Sequence, residues 1–152
     1  MTFTIESVDW EQHQSRLKAL REHVFVLEWQ MPREAEFDER DHHAFHVLVI
    51  GENNTPIATG RLTRCGELGR IAVKRKHRHL SVYRALFAAL IDLAKQHKVP
   101  TVKVNLTLDS VSYHQQLGFK IDGQVFMDGG VPRQKMCCPA ERFPLPDVSQ
   151  MH

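Results

Sequence analysis

Six basic or potentially basic side chains, Lys74, Arg75, Lys76, His77, Arg78 and His79, run without interruption into a long segment of apolar residues at helical spacing. A helix beginning there presents free N–H groups and the positive end of its dipole, which favour an anion. The basic run deepens that potential, and a phosphate or pyrophosphate is the natural guest. A solvated basic turn is the plain alternative. A nucleic-acid patch is a third reading, but no aromatic residues interleave the run to stack bases. Upstream lies an acidic stretch, Glu34, Glu36, Asp38, Glu39 and Asp41, which reads equally well as a solvated loop with capping roles. His42, His43 and His46 invite a metal, yet zinc needs a converging ligand set and nothing else supplies a paired motif, so no metal site is expected. Cys65, Cys137 and Cys138 are odd in number and lack Cys-x-x-Cys spacing, which points to free thiols in a reducing compartment.

The elements that must position these groups follow from periodicity. Phe3 and Ile5 alternate with polar neighbours in a short first strand. Asp9, with Gln12 three residues later, reads as a helix start. Trp10, Leu17, Leu20, Val24 and Leu27 then form a buried stripe that runs on toward Pro32. Strands are expected over 46–50, 57–62 and 70–73, the first two separated by the turn residues 51–56. The clearest helix covers 78–96, where Leu80, Tyr83, Leu86, Phe87, Leu90, Ile91 and Ala94 make a wide apolar stripe. A strand over 101–106, a short helix over 109–117 closed by Gly118, and two strands around the turn Asp128-Gly-Gly130 complete the pattern. The last fourteen residues, 139–152, carry three prolines and no period, and read as a loosely docked tail.

The chain has 152 residues, 42% apolar and 25% charged, with a formal net charge of +2. That is one domain's worth of an ordinary globular protein and excludes an intrinsically disordered chain. No apolar run approaches the ~20 residues a bilayer span needs, and the first residues lack a signal-peptide pattern. A cytoplasmic protein is expected, with neither nucleic acid nor membrane as partner. A homodimer is compatible with an exposed sheet edge.

Arg70-Ile-Ala-Val73 leading into Arg78 and a helix resembles the cofactor-binding motif of the GNAT superfamily of N-acetyltransferases. Leu20-Arg21, Val24-Phe25-Val26, Glu28, Pro32, Glu36, Asp38 and Asp41 resemble the N-terminal signature of its ElaA/YjcF-type branch. Tyr113-His-Gln-Gln-Leu-Gly-Phe119, and Phe126-Met-Asp-Gly-Gly-Val-Pro132 followed by Met136, are similar to later elements of the same family. The match spans about residues 15–137. It implies an α+β fold over residues 1–138, with a tail over 139–152. The sheet would be mostly antiparallel and splayed, of about six to seven strands flanked by about four helices. Acetyl-CoA would serve as co-substrate in the splay, with an amine of a small molecule or peptide as acceptor. The resemblance places pantetheine along the backbone of Ile71, Ala72 and Val73. It places the pyrophosphate at Arg78, His79, Leu80, Ser81, Val82 and Tyr83.

His114 stands where the family often has a tyrosine near the coenzyme sulfur. An imidazole, with a pKa of about 6.5, can protonate a thiolate whose thiol titrates near 8.5. The resemblance makes Glu28, Glu36 or Asp38 the candidate base and the Val73 amide the candidate oxyanion donor. The family's pattern has two small residues where this chain has Ser81 and Tyr83. A tyrosine ring there either turns into the core or fills the pyrophosphate's space. Two other readings share these residues. Arg21, Phe25, Trp29, Glu36, Asp38, Asp41 and Arg61 or Arg64 resemble the N-terminal half of acyl-homoserine-lactone synthases, and the Ser81/Tyr83 substitutions fit a GNAT-fold binding module.

Overall fold

The computed structural model describes residues 2–30 and 38–146. After β1 (Thr4–Val8), the Asp9 carboxylate accepts from the Gln12 N–H at 2.7 Å and starts α1 (Trp10–Arg21). The helix does not run on as an α-helix toward Pro32. Glu22–Glu28 forms a π turn, in which the Trp29 N–H donates to the Val24 carbonyl five residues back at 3.0 Å. This wider winding holds more residues per revolution and rotates the downstream faces. Val24 and Phe25 are therefore both buried, whereas Leu27, expected in the stripe, is 68% exposed.

Asp38 then opens a 3-10 turn (Glu39–His42) through a reciprocal capping box with Asp41. β2 (Phe45–Ile50), β3 (Pro56–Leu62) and β4 (Leu68–Val73) join β1 in an antiparallel sheet ordered β1-β2-β3-β4. The unbroken apolar run of β2 has a cause: both its faces are covered. Val47 and Val49 pack into the main core with Leu86 and Leu90 of α2 (Leu80–Gln96). Leu48 and Ile50 pack on the other side with Trp10, Leu17 and Leu20 of α1. Gly60 on β3 lies directly under α2, where a Cβ would stand 2.7 Å from Leu90 Cδ1 and 2.9 Å from Ile71 Cδ1.

β5 (Thr101–Thr107), α3 (Val111–Gln116), β6 (Lys120–Ile121), β7 (Phe126–Asp128) and β8 (Val131–Pro139) build the second half. Here β8 pairs antiparallel with β5 along its length, and with β6 and β7. Among the described residues the two half-sheets meet at one parallel bridge, Glu67 to Lys103, where the Lys103 N–H donates to the Gly66 carbonyl at 2.7 Å. Gly66 is required there twice over. Its φ is +100°, and a Cβ would fall 2.3 Å from the Thr101 carbonyl oxygen. With no β4–β5 ladder beyond the bridge among the described residues, the sheet is splayed at its middle, as expected. The described residues hold eight strands, three α-helices and the π turn.

The chain after β8 is not loosely held as far as residue 146. Ala140 is buried, Phe143 stacks on Phe87 at 5.9 Å and meets the edge of Phe119 at 5.8 Å, and Arg84 donates to the Pro146 carbonyl at 3.0 Å. Residues 147–152 lie outside the described residues.

Candidate functional site

The site begins at a fault in β4. Ala72 faces Thr59 but Gly69 faces Arg61, so Arg70 and Ile71 together oppose Gly60. This is a β-bulge, and Arg70 within it has φ +50°. Such a conformation is uncommon for a residue with a side chain and clusters at functional sites. Past the bulge, the Lys74 N–H donates to the Ile57 carbonyl at 2.9 Å. Antiparallel ladders alternate, so the N–H and C=O of Val73 turn away from β3 toward the open splay. The Val73 carbonyl is met there by Arg78 Nε at 3.0 Å.

The basic run forms a 3-10 turn (Arg75–His77) and delivers the chain to α2. His79 is the N-cap and its side chain caps nothing, while the Val82 and Tyr83 N–H groups donate to its carbonyl at 3.0 and 3.2 Å. No side chain covers the first-turn N–H groups, and a second run of main-chain donors thus follows the free edge of β4. Tyr83 packs against the margin of the main core and is half-buried. Burial raises its hydroxyl's pKa, with Arg78 opposing and Glu28 reinforcing. The ring lies partly against the core, with its hydroxyl in the field of Arg78 and Glu28.

Beside the bulge, a cleft of about 240 Å³ opens between the half-sheets. Phe25 and Trp29 from the π turn, Leu68 to Ile71 from β4, Asn105 from β5, Asp128 from β7 and Arg133 from β8 line it. Phe25 and Trp29 meet edge to face at 5.2 Å, and Trp29 is 52% exposed.

The profile of the acetyltransferase (GNAT) domain matches residues 6–139. The chain belongs to the GNAT acetyltransferases. It is 29% identical over 121 residues to the uncharacterized N-acetyltransferase YjcF of Bacillus subtilis (strain 168), covering 77% of this chain and 86% of that one. The Escherichia coli ElaA structure superposes with a TM-score of 0.72 at 20% identity, over 88% of this chain and 98% of that one. An acyl-CoA N-acyltransferase from Pseudomonas aeruginosa superposes with a TM-score of 0.70 at 19% identity, over 90% and 99%. These structures share the splayed fold. As a GNAT protein the chain is an N-acyltransferase that takes its acyl group from acyl-CoA and passes it to an amine.

Within this GNAT domain the residues expected to do chemistry are distributed unevenly. Glu28, a candidate base, is bound by Arg78, a candidate cofactor contact, through two ion-pair contacts of 2.7 and 2.8 Å. That hydrogen bonding holds the Glu28 carboxyl below the usual carboxylate range, against the smaller effect of burial. While the pair is closed, Glu28 is a poor proton acceptor. Arg78 also lies over the Trp29 ring, 5.9 Å from its centroid. Glu36 lies outside the described residues.

His114 sits on α3 with Nδ1 2.8 Å from the Ser110 carbonyl. A carbonyl only accepts, so Nδ1 carries the proton, and Nε2 is the atom free to exchange one. Its ring rests against the edge of Phe119 at 5.1 Å. Ile71, Ala72 and Val73 lie on the bulged strand, and Leu80, Ser81 and Val82 on the first turn of α2.

Asp38 and Asp41 serve the fold. Asp41 pairs with Arg21 at 2.7 Å and with Arg61 at 3.0 Å, and Arg21 and Asp41 are each 1% exposed. Asp38 joins Arg61 at 2.8 Å to Arg70 at 3.3 Å. Arg21, Asp38, Asp41 and Arg61 thus form an internal brace. His46 completes it by donating from Nε2 to the Asp41 carbonyl at 2.9 Å, beneath Trp10. Burial pushes the Cys138 thiol up to about 11, whereas the hydrogen bond with Thr63 lowers that of Cys65. Sequence reasoning missed Asn105, Asp128 and Arg133 as cleft residues. A signal was present, since Lys103, Asn105 and Thr107 alternate with Val102, Val104 and Leu106. That alternation marks a polar sheet face, and pairing places Lys135 opposite Asn105 and Arg133 opposite Thr107.

Proposed function

We propose that this protein transfers the acetyl group of acetyl-CoA to a primary amine of a small molecule in the cytoplasm. The observation that carries the reading is the sequence of donors from the outward Val73 N–H to the uncapped start of α2, along the edge of β4 that opens into the splay. The backbone of Ile71, Ala72 and Val73 would hold the pantetheine arm. The start of α2 from His79 to Tyr83, where the Leu80 and Ser81 N–H groups precede the first intrahelical bonds, would take the pyrophosphate with Arg78 beside it. The three free cysteines support a reducing compartment.

In the reaction the neutral amine nitrogen bonds to the thioester carbonyl carbon and the carbon–sulfur bond breaks. One proton of the starting ammonium goes to solvent and a second ends on the sulfur. The Val73 N–H stabilises charge that develops on the carbonyl oxygen, a preorganised donor of the kind that dominates electrostatic catalysis. His114, protonated at both nitrogens, gives the Nε2 proton to the departing sulfur while Ser110 fixes the ring. The proton taken from the ammonium leaves through water or through Glu36 or Glu28.

Acetyl-CoA at millimolar concentration is expected to raise the melting midpoint, since a ligand that binds only the folded state stabilises it. No shift overturns the reading. With an accepted amine, His114→Phe is expected to lower kcat about 100-fold, as loss of a general acid does. Unchanged turnover removes His114 from the mechanism.

A further inference from the structure

Arg133 enters none of these steps. Its Nε lies 3.3 Å from Asp128 Oδ2, out of hydrogen-bonding alignment, and is buried without a hydrogen-bond partner among the described residues. Asp128 thus matches the guanidinium imperfectly, and the part of Arg133 that remains exposed, about a quarter of the side chain, faces the cleft. Arg70, fixed by the bulge, lines the same cleft, and its own ion-pair partner Asp38 lies outside that lining. The wall therefore presents two guanidinium groups, one carboxylate and the Asn105 amide, beside the apolar corner made by Phe25 and Trp29.

We propose that the acceptor is a small zwitterion, an amino acid with an apolar side chain, whose carboxylate binds Arg133 and whose ammonium faces Asp128. This rests on the acyl-transfer reading above and names its substrate class. A guanidinium fork matches a carboxylate with two parallel hydrogen bonds. A zwitterion replaces one misaligned Arg–Asp contact with two aligned ones, one to each partner. A simple amine satisfies Asp128 alone, and a simple carboxylate satisfies Arg133 alone. The exposed face of Trp29 and the edge of Phe25 take the apolar side chain, in a cleft of about 240 Å³.

Calorimetric titration of the full chain, with and without coenzyme A, compares L-phenylalanine, phenethylamine and 3-phenylpropionate. L-Phenylalanine is expected to bind at least about tenfold more tightly than either, the scale of a charged hydrogen bond. Arg133→Gln is expected to abolish that preference while acetyl-CoA binds as before. Equal or tighter binding of phenethylamine, no binding of any of the three, or a preference that survives Arg133→Gln overturns the proposal. The two readings fail separately. A chain that binds L-phenylalanine but not acetyl-CoA defeats acyl transfer. A chain that binds acetyl-CoA and is indifferent to the carboxylate defeats the zwitterion site alone.

Discussion

Glu28 and Arg78 hold each other at the place where coenzyme is expected to bind, so each limits what the other can do. With the carboxylate engaged by a guanidinium, Arg78 has to leave a bidentate partner before it can serve a phosphate. Glu28→Gln weakens that competing pair and is expected to raise coenzyme A affinity roughly fivefold, a coupling of the usual size for competing charge partners. Arg78→Ala is expected to lower it, and titration calorimetry measures both. Identical affinities across the three proteins would show that the guanidinium never leaves Glu28. As charges, both groups were legible in the sequence. Their pairing was not, because 50 residues separate them and nothing local to either segment reports the other. Arg133 was hidden for a related reason. It becomes a wall of the cleft only when β8 pairs with β5, a register that the single strand does not encode.

Helix α2 and strand β2 were plain in the sequence because periodicity and burial agree: a wide stripe on one, a continuous apolar run covered on both faces on the other. The π turn was not legible. Its residues keep helical composition, and the extra residue in the winding shows only when Leu27 turns outward and Phe25 inward. The three prolines of the C-terminal stretch likewise obscured Phe143, whose ring closes a stack with Phe87 and Phe119. Phe143→Ala is expected to lower stability by about 2 kcal/mol, less than the 3–5 kcal/mol of a fully buried phenylalanine because the ring is half-buried. Gly60→Ala tests the close approach of β3 to α2. A methyl group 2.7 Å from Leu90 Cδ1 and 2.9 Å from Ile71 Cδ1 forces those side chains to shift, and the expected cost is about 1–3 kcal/mol. Urea unfolding measures both changes, and an unaltered midpoint for either contradicts the packing described.

Across the whole molecule, acid stability is expected to fall in two stages. Burial holds the His46 pKa below its ordinary 6.5, so the unfolded chain takes up a proton that the folded chain refuses. Stability is therefore lost as pH drops below about 6.5. Burial raises the Asp41 pKa, but hydrogen bonding and charge from Arg21, then Arg61, outweigh it and leave a net lowering from 3.8. Its contribution is present above about pH 4 and disappears below that as the carboxylate is protonated. His46→Phe is expected to flatten the first stage and spare the second, as read by urea midpoints against pH. Asp41→Asn is expected to cost about 3–5 kcal/mol at neutral pH, since it leaves buried guanidinium groups uncompensated. The bridge at Glu67 has a consequence at this same scale. Glu67 is ion-paired to Arg40 on one side of the splay and to Lys135 on the other, next to the one point where the described half-sheets pair. The molecule is thus a clothes-peg with its spring at Glu67 and its jaws at Val73 and Arg133. Slackening the spring with Glu67→Gln would loosen the grip on donor and acceptor together, raising both KM values in parallel.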